Sequence, residues 1–247
     1  MISDIENYID LLPDKVVRYL SVVTPETLGQ DYLIHMSTNT NIKEFSPVIG
    51  FRQATTEDRT TPRICVCNTI LGCFLAYCGA TSDFFTNKST GKKEDFKWKG
   101  GWKLYYFDFE YSLLPTKQLV FDVNKTNEHW LVTYNKDTVK YVPKHAANMF
   151  YQNIRYVNKS GTHPEPEGTL FLEVKKETGI LFSKNIYLSL GYWKVDGPVF
   201  EPMYNTDVSF KNDRVFNATA ISKEEYVAVK KSCADLLSFK EPIYLNW

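Results

Sequence analysis

Tyr32-Leu33-Ile34-His35-Met36-Ser37 is the stretch on which the fold turns. It has the β-branched and aromatic character of a strand, with one histidine set inside an apolar run. Further along come Pro62-Arg63-Ile64-Cys65-Val66-Cys67-Asn68-Thr69 and then Asn127-Glu128-His129-Trp130-Leu131-Val132. Each reads as a strand carrying a polar residue, and a rigid strand fixes donors and acceptors better than a loop does. That succession is the chain's lead to chemistry.

Working outward from His35, residues 3 to 20 place apolar side chains near the helical period, with Pro13 interrupting, and read as two short helices or one broken one. Pro25 and Gly29 end that segment. Residues 38 to 61 are polar and loop-like, with Ile42 and Phe45 as the side chains expected to be buried. Ile70, Cys73, Phe74 and Tyr77 follow a helical spacing, and Thr69 is placed to cap that helix. Residues 79 to 101 read as a linker rich in Ser, Thr, Gly and Lys. Strands are expected at 102–109 and 117–121. A further pair is expected at 128–134 and 138–142, joined by a turn at Asn135-Lys136-Asp137. Beyond His145, strands are expected at 169–174, 186–192 and 208–210, and a helix begins at Ser222 with Tyr226, Val229, Cys233, Leu236 and Leu237 on its apolar stripe.

The sequence therefore predicts an α+β fold of mixed or antiparallel sheets flanked by short helices. One domain over residues 1–247 is the preferred reading, with a core at 1–142 carrying the N-terminal helices and a β-rich extension at 143–247 carrying the C-terminal helix. Twenty-nine basic and 29 acidic residues cancel over the 247 residues, so any charge-driven partner must use a local patch. The aromatic content of 15% belongs to a folded chain. No apolar run approaches the roughly 18 residues of a membrane helix. Acidic Asp4, Glu6 and Asp10 stand where a secretory signal would be basic, so a cytoplasmic location is expected. The five cysteines, four of them crowded at 65, 67, 73 and 78, read as reduced core residues and not as a metal site, because zinc motifs want pairs two to four residues apart on a turn.

The polar strand residues each admit two readings. His35 is a ligand-binding group or a half-buried histidine satisfied by a carbonyl. Glu128 is a functional carboxylate or a strand residue paired across to Lys140. Arg63 binds a phosphate, the favoured reading, or anchors its loop through a carboxylate. Lys88 to Lys103 interleaves lysines with Phe96, Trp98 and Trp102, a composition that can track a polynucleotide and also suits a solvated loop.

Over roughly residues 31 to 142 these segments resemble the ADP-ribosyltransferase-like fold. Ile34-His35-Met36-Ser37 resembles that family's first strand, Arg63 to Tyr77 occupies the place of its second motif, and Thr126 to Val132 continuing to Val142 resembles its glutamate-bearing strand. The resemblance implies NAD as cofactor, with His35 on ribose or adenosine hydroxyls, Ser37 helping to hold the nicotinamide amide, and Glu128 as the catalytic carboxylate stabilising an oxocarbenium-like charge. Arg63, read as a phosphate binder, joins the expected cofactor site. The implied function is ADP-ribosyl transfer to a protein or nucleic acid reached through the Lys88–Lys103 loop. The alternative is a non-catalytic binding protein on the same fold. The same segments also resemble small phage and bacterial proteins, for which a host factor would be the partner.

Overall fold

The structure is a computed structural model and describes residues 9, 12, 14–50, 57–70, 72, 73, 76, 101–121, 123–133, 140–157, 165–175, 181–183, 186–196 and 217–234. The chain divides into two compact units. Unit 1 holds Met1–Met36, Asn41–Ala76 and Tyr105–Lys144, and unit 2 holds Ser37–Thr40, Tyr77–Leu104 and His145–Trp247. The return of 77–104 to the later unit has no signal in composition.

Unit 1 runs through α1 (Asp14–Val17), β1 (Leu20–Val23), α2 (Pro25–Leu28), β2 (Tyr32–Ser37, which leaves it after Met36), β3 (Ile64–Cys67), β4 (Gly101–Asp108, which enters it at Tyr105), β5 (Ser112–Pro115), α3 (Val123–Thr126) and β6 (Glu128–Leu131). Its strands lie in the order β1-β5-β6-β3-β2-β4. The pairs β1·β5, β5·β6, β6·β3 and β3·β2 are all antiparallel. Side chains alternate between the two faces of such a sheet. One face carries Leu33, Val66, Tyr105, Phe107 and Leu131, and is covered by Ile42, Phe45 and Tyr141. The other carries Leu113, Trp130 and Val132, packed with Val16, Leu119, Val120 and Val123. Both faces are buried, which is why the strands read as near-continuous apolar runs and not as strict alternations.

Local chemistry sets the ends of these elements. Pro25, read as a terminator, starts the single turn α2. Thr24 accepts from the Thr27 amide at 3.3 Å while its own amide donates to Thr27 Oγ1 at 2.9 Å, and Gly29 closes the turn at φ 68°. Asn127 stands at φ 48° between α3 and β6, its amide donating to the Val123 carbonyl at 2.8 Å. Asparagine tolerates this left-handed conformation, and the reversal lets β6 begin at once with Glu128. Thr69 caps as expected: its Oγ1 accepts from the Gly72 amide at 2.9 Å and its carbonyl accepts from the Cys73 amide at 3.1 Å.

Unit 2 contains β7 (His145–Val157), β8 (Glu165–Lys175), β9 (Leu181–Ser183), β10 (Ile186–Leu188), β11 (Gly191–Asp196), β12 (Asn217–Ile221) and α4 (Lys223–Ala234). β7-β8-β11-β12 form consecutive antiparallel pairs, and β9 pairs with β10. Phe150 and Phe171 sit opposite one another and stack at 5.2 Å. Tyr226 of α4 closes on Phe150 at 5.3 Å and on Tyr192 at 4.9 Å. Ser222 caps α4, its Oγ accepting from the Glu225 amide at 3.1 Å.

The α+β character and the antiparallel sheets agree with the sequence, and several boundaries do not. β1, β5, β7, β9 and β12 were not anticipated. Residues 117–121, expected as a strand, form turns leading into α3. Tyr141 exchanges backbone hydrogen bonds with Phe45 at 2.8 and 2.9 Å, so it does not fold back as a hairpin partner of β6. The expected strand at 208–210 and residues 79–100 of the expected 79–101 linker lie outside the described residues, and Gly101 begins β4. Among the described residues no helix is long and apolar enough to cross a membrane.

Candidate functional site

Register decides which residues of unit 1 can act together. Cys67 of β3 pairs with Ile34 of β2 on one side and with Glu128 of β6 on the other. Ile34, Cys67 and Glu128 therefore share a face. His35, one residue along β2, projects from the opposite face. The expected common cleft for His35 and Glu128 does not form, because the two residues differ by one step in register.

On its own face His35 is half-buried and held by two contacts. Its Nδ1 lies 2.8 Å from the Cys65 carbonyl oxygen, and its ring meets Phe45 edge-on at 5.1 Å. A carbonyl only accepts, so Nδ1 carries the hydrogen and Nε2 is left with a lone pair. Burial holds the imidazole pKa below its ordinary value, against the opposing pull of the Cys65 hydrogen bond, and keeps the ring neutral at pH 7. His35 borders a pocket of about 400 Å³ whose walls include Phe45, Ser46, Val48, Glu57 and Ile64, with Arg63 and Cys65 also lining it. That volume is within the range used for small ligands. Val48, on the rim, is 58% exposed. Ser37, two positions on along β2, accepts from the Asn39 amide at 3.1 Å, which fixes the turn that leaves the strand.

The opposite face holds a different cluster. Arg63 Nη1 donates to the Asp58 carboxylate at 3.2 Å, to the Asp58 carbonyl at 3.0 Å and to the Thr61 carbonyl at 3.1 Å. The two side chains are 1% and 4% exposed. The guanidinium lies 4.0 Å over the Trp130 ring, and Trp130 Nε1 donates to Glu128 Oε1 at 2.8 Å. Asp58 also accepts from the Thr60 hydroxyl at 2.6 Å and from the Thr60 and Thr61 amides at 3.1 and 3.0 Å. Burial pushes its carboxyl pKa up, and these hydrogen bonds outweigh that and hold it below the ordinary range.

Arg63 thus anchors the 58–61 loop through a carboxylate, the reading the sequence ranked second. Its Nη1 is taken up by Asp58 and Thr61, while among the described residues Nε and Nη2 have no hydrogen-bond partner. Lys140 meets Glu44 at 2.6 Å and is not the cross-strand partner of Glu128. Of the Lys88–Lys103 segment the described side chains are Trp102, which is buried in β4 at 1% exposure, and Lys103, whose Nζ donates to the Thr40 carbonyl at 2.9 Å. The remainder lies outside the described residues.

Sequence reasoning missed Asp58, Trp130 and the Ser112–His129 pair. Asp58 carried a signal, since Asp followed by Thr60 and Thr61 is a side-chain-capped turn. His129 and Ser112 carried none. Their Nδ1 and Oγ lie 3.1 Å apart, with exposures of 2% and 0%. Burial lowers the His129 pKa to about 4, and a pair so sealed is structural. Comparison with protein-family models, with curated proteins and with solved structures finds no match to this chain.

Proposed function

We propose that the protein is a non-catalytic binding protein whose pocket beside His35 receives a nucleotide-like ligand. What supports this reading over chemistry is the separation of His35 from Glu128 by the register of β2, β3 and β6. ADP-ribosyl transfer from NAD, the activity implied by the resemblance, needs the dinucleotide and the carboxylate on one face. Here the carboxylate is engaged by Trp130 on the other face.

The pocket offers a fixed acceptor in His35 Nε2, a hydroxyl in Ser46, a carboxylate in Glu57 and an apolar wall of Phe45, Val48 and Ile64. A flat heterocycle bearing N–H donors, such as an adenine or nicotinamide ring, matches that combination. NAD and AMP are the probes. Calorimetric titration is expected to show binding that His35→Ala weakens about tenfold, the value of one hydrogen bond of roughly 1.4 kcal/mol. No nicotinamide is expected to be released. Release from NAD that disappears in Glu128→Gln would overturn the reading in favour of ADP-ribosyl transfer. Failure to bind either probe would remove the nucleotide ligand.

A further inference from the structure

We infer that Cys67 and Cys73 form a redox dithiol that closes to an intramolecular disulfide under peroxide. Cys67 is the last residue of β3, and Cys73 lies one helical turn beyond the Thr69 cap. Both are free and each is 4% exposed. The turn between them is pressed onto the strand. A methyl group placed on Gly72 would lie 3.1 Å from Cys67 Cβ and 2.2 Å from the Thr126 carbonyl oxygen, so this corner has no room for a side chain at 72. The Cys73 thiol donates to the Ile34 carbonyl at 3.2 Å, and Ile34 is the residue paired with Cys67. Both sulfurs are thereby brought to the same point on the sheet. The Cys73 thiol is also the largest influence on the Cys67 thiol, ahead of burial, and both raise its pKa.

Cys65 is exposed and shares the Cys67 face, yet it is not the partner this geometry selects. Side chains two apart on a strand run parallel, so their Cβ atoms stay roughly 6.6 Å apart, well beyond the roughly 3.5 to 4.5 Å that a disulfide spans. The two described thiols that face each other from different elements are Cys67 and Cys73.

In the oxidation two S–H bonds break and one S–S bond forms, and the peroxide takes the two electrons and two protons to become two waters. The neighbouring Cys73 thiol and burial hold the Cys67 thiol pKa up and keep it protonated until an oxidant persists, because the thiolate is the reactive form. Closure would staple the first turn after β3 to the strand that also carries the Cys65 carbonyl holding His35.

The full-length protein is treated with hydrogen peroxide, its remaining thiols are alkylated under denaturing conditions, and the cross-linked peptides are mapped by mass spectrometry. A Cys67–Cys73 cross-link is expected in the wild type and in Cys65→Ser. A cross-link through Cys65, or full alkylation of Cys67 and Cys73 after peroxide treatment, would overturn the inference. The mapping is done on the wild type, so a Cys67→Ser or Cys73→Ser variant that failed to fold would not obscure the result.

Discussion

The guanidinium of Arg63 lies 4.0 Å over the indole of Trp130 while its Nη1 reaches Asp58 at 3.2 Å. One side chain at the entry of β3 thus ties the 58–61 loop to β6. Asp58→Ala would leave a buried guanidinium without its counter-charge, and breaking one half of such a pair costs about 3 to 5 kcal/mol. Arg63→Lys keeps the charge and gives up the planar stack, for which about 2 kcal/mol is expected. Urea denaturation of the two variants should rank them in that order. An Asp58→Ala loss below roughly 1 kcal/mol would place the pair among solvated surface bridges.

Stability should fall as the pH is lowered from neutrality. His129 has its pKa depressed to about 4 in the folded chain, against an ordinary value near 6.5 in the unfolded one. Below pH 6.5 the unfolded state therefore binds a proton that the folded state refuses, and stability is lost down to about pH 4. The loss is on the order of 3 kcal/mol from this residue, with His35 acting in the same direction. Asp58, also depressed, adds its loss at lower pH, beneath the ordinary carboxylate range. Denaturation midpoints between pH 7 and 4.5 measure the slope, and His129→Gln should flatten it. An unchanged slope in that variant would assign the window to other groups.

The sequence carried the strand at 32–37, the Thr69 cap, β4 and the start of α4, because each depends on local chemistry: β-branched runs, hydroxyl caps and a helical stripe. It could not carry the relative register of β2 and β6. That register is set through β3, which contributes Cys67 to both ladders from a distant part of the chain. A shift of one residue in either ladder would have put His35 and Glu128 on one face, and no feature of the residues themselves distinguishes the two outcomes. Arg63 was legible as an anion site, with phosphate favoured over carboxylate. The identity of that anion, Asp58 of its own loop, was settled by the turn at Thr60 and Thr61.

Gly72 and Gly29 should respond to alanine for different reasons. At Gly72 the added methyl would meet a backbone carbonyl at 2.2 Å, so either the capped turn or the end of α3 must move. Overpacking of this kind costs about 1 to 3 kcal/mol, and more where the obstructing atom is backbone. At Gly29 nothing lies within 4 Å, and the cost arises from holding alanine at φ 68°, about 1 to 2 kcal/mol. Gly29→Asn should recover part of its loss because asparagine accepts this conformation, whereas Gly72→Asn should be worse than Gly72→Ala. Thermal denaturation of the four variants tests the distinction; equal behaviour of the two asparagine variants would contradict it.

Tyr226 sets a test within unit 2, where its ring and its hydroxyl make opposite contributions. The ring closes on Phe150 and Tyr192, and the residue is 2% exposed. The hydroxyl is buried and, among the described residues, has no hydrogen-bond partner. Burial, reinforced by Glu173 and Tyr192, pushes its pKa far up, so it remains an uncharged phenol at every working pH. An unsatisfied buried hydroxyl costs about 1 to 3 kcal/mol, and Tyr226→Phe removes that penalty while keeping the ring contacts. The phenylalanine variant is therefore expected to match or exceed the wild type in stability. Tyr226→Ala, which empties the site between α4 and the sheet, should lose about 3 to 5 kcal/mol. A destabilised Tyr226→Phe would show instead that an ordered water satisfies the hydroxyl in solution, because only the loss of a real partner could reverse the sign.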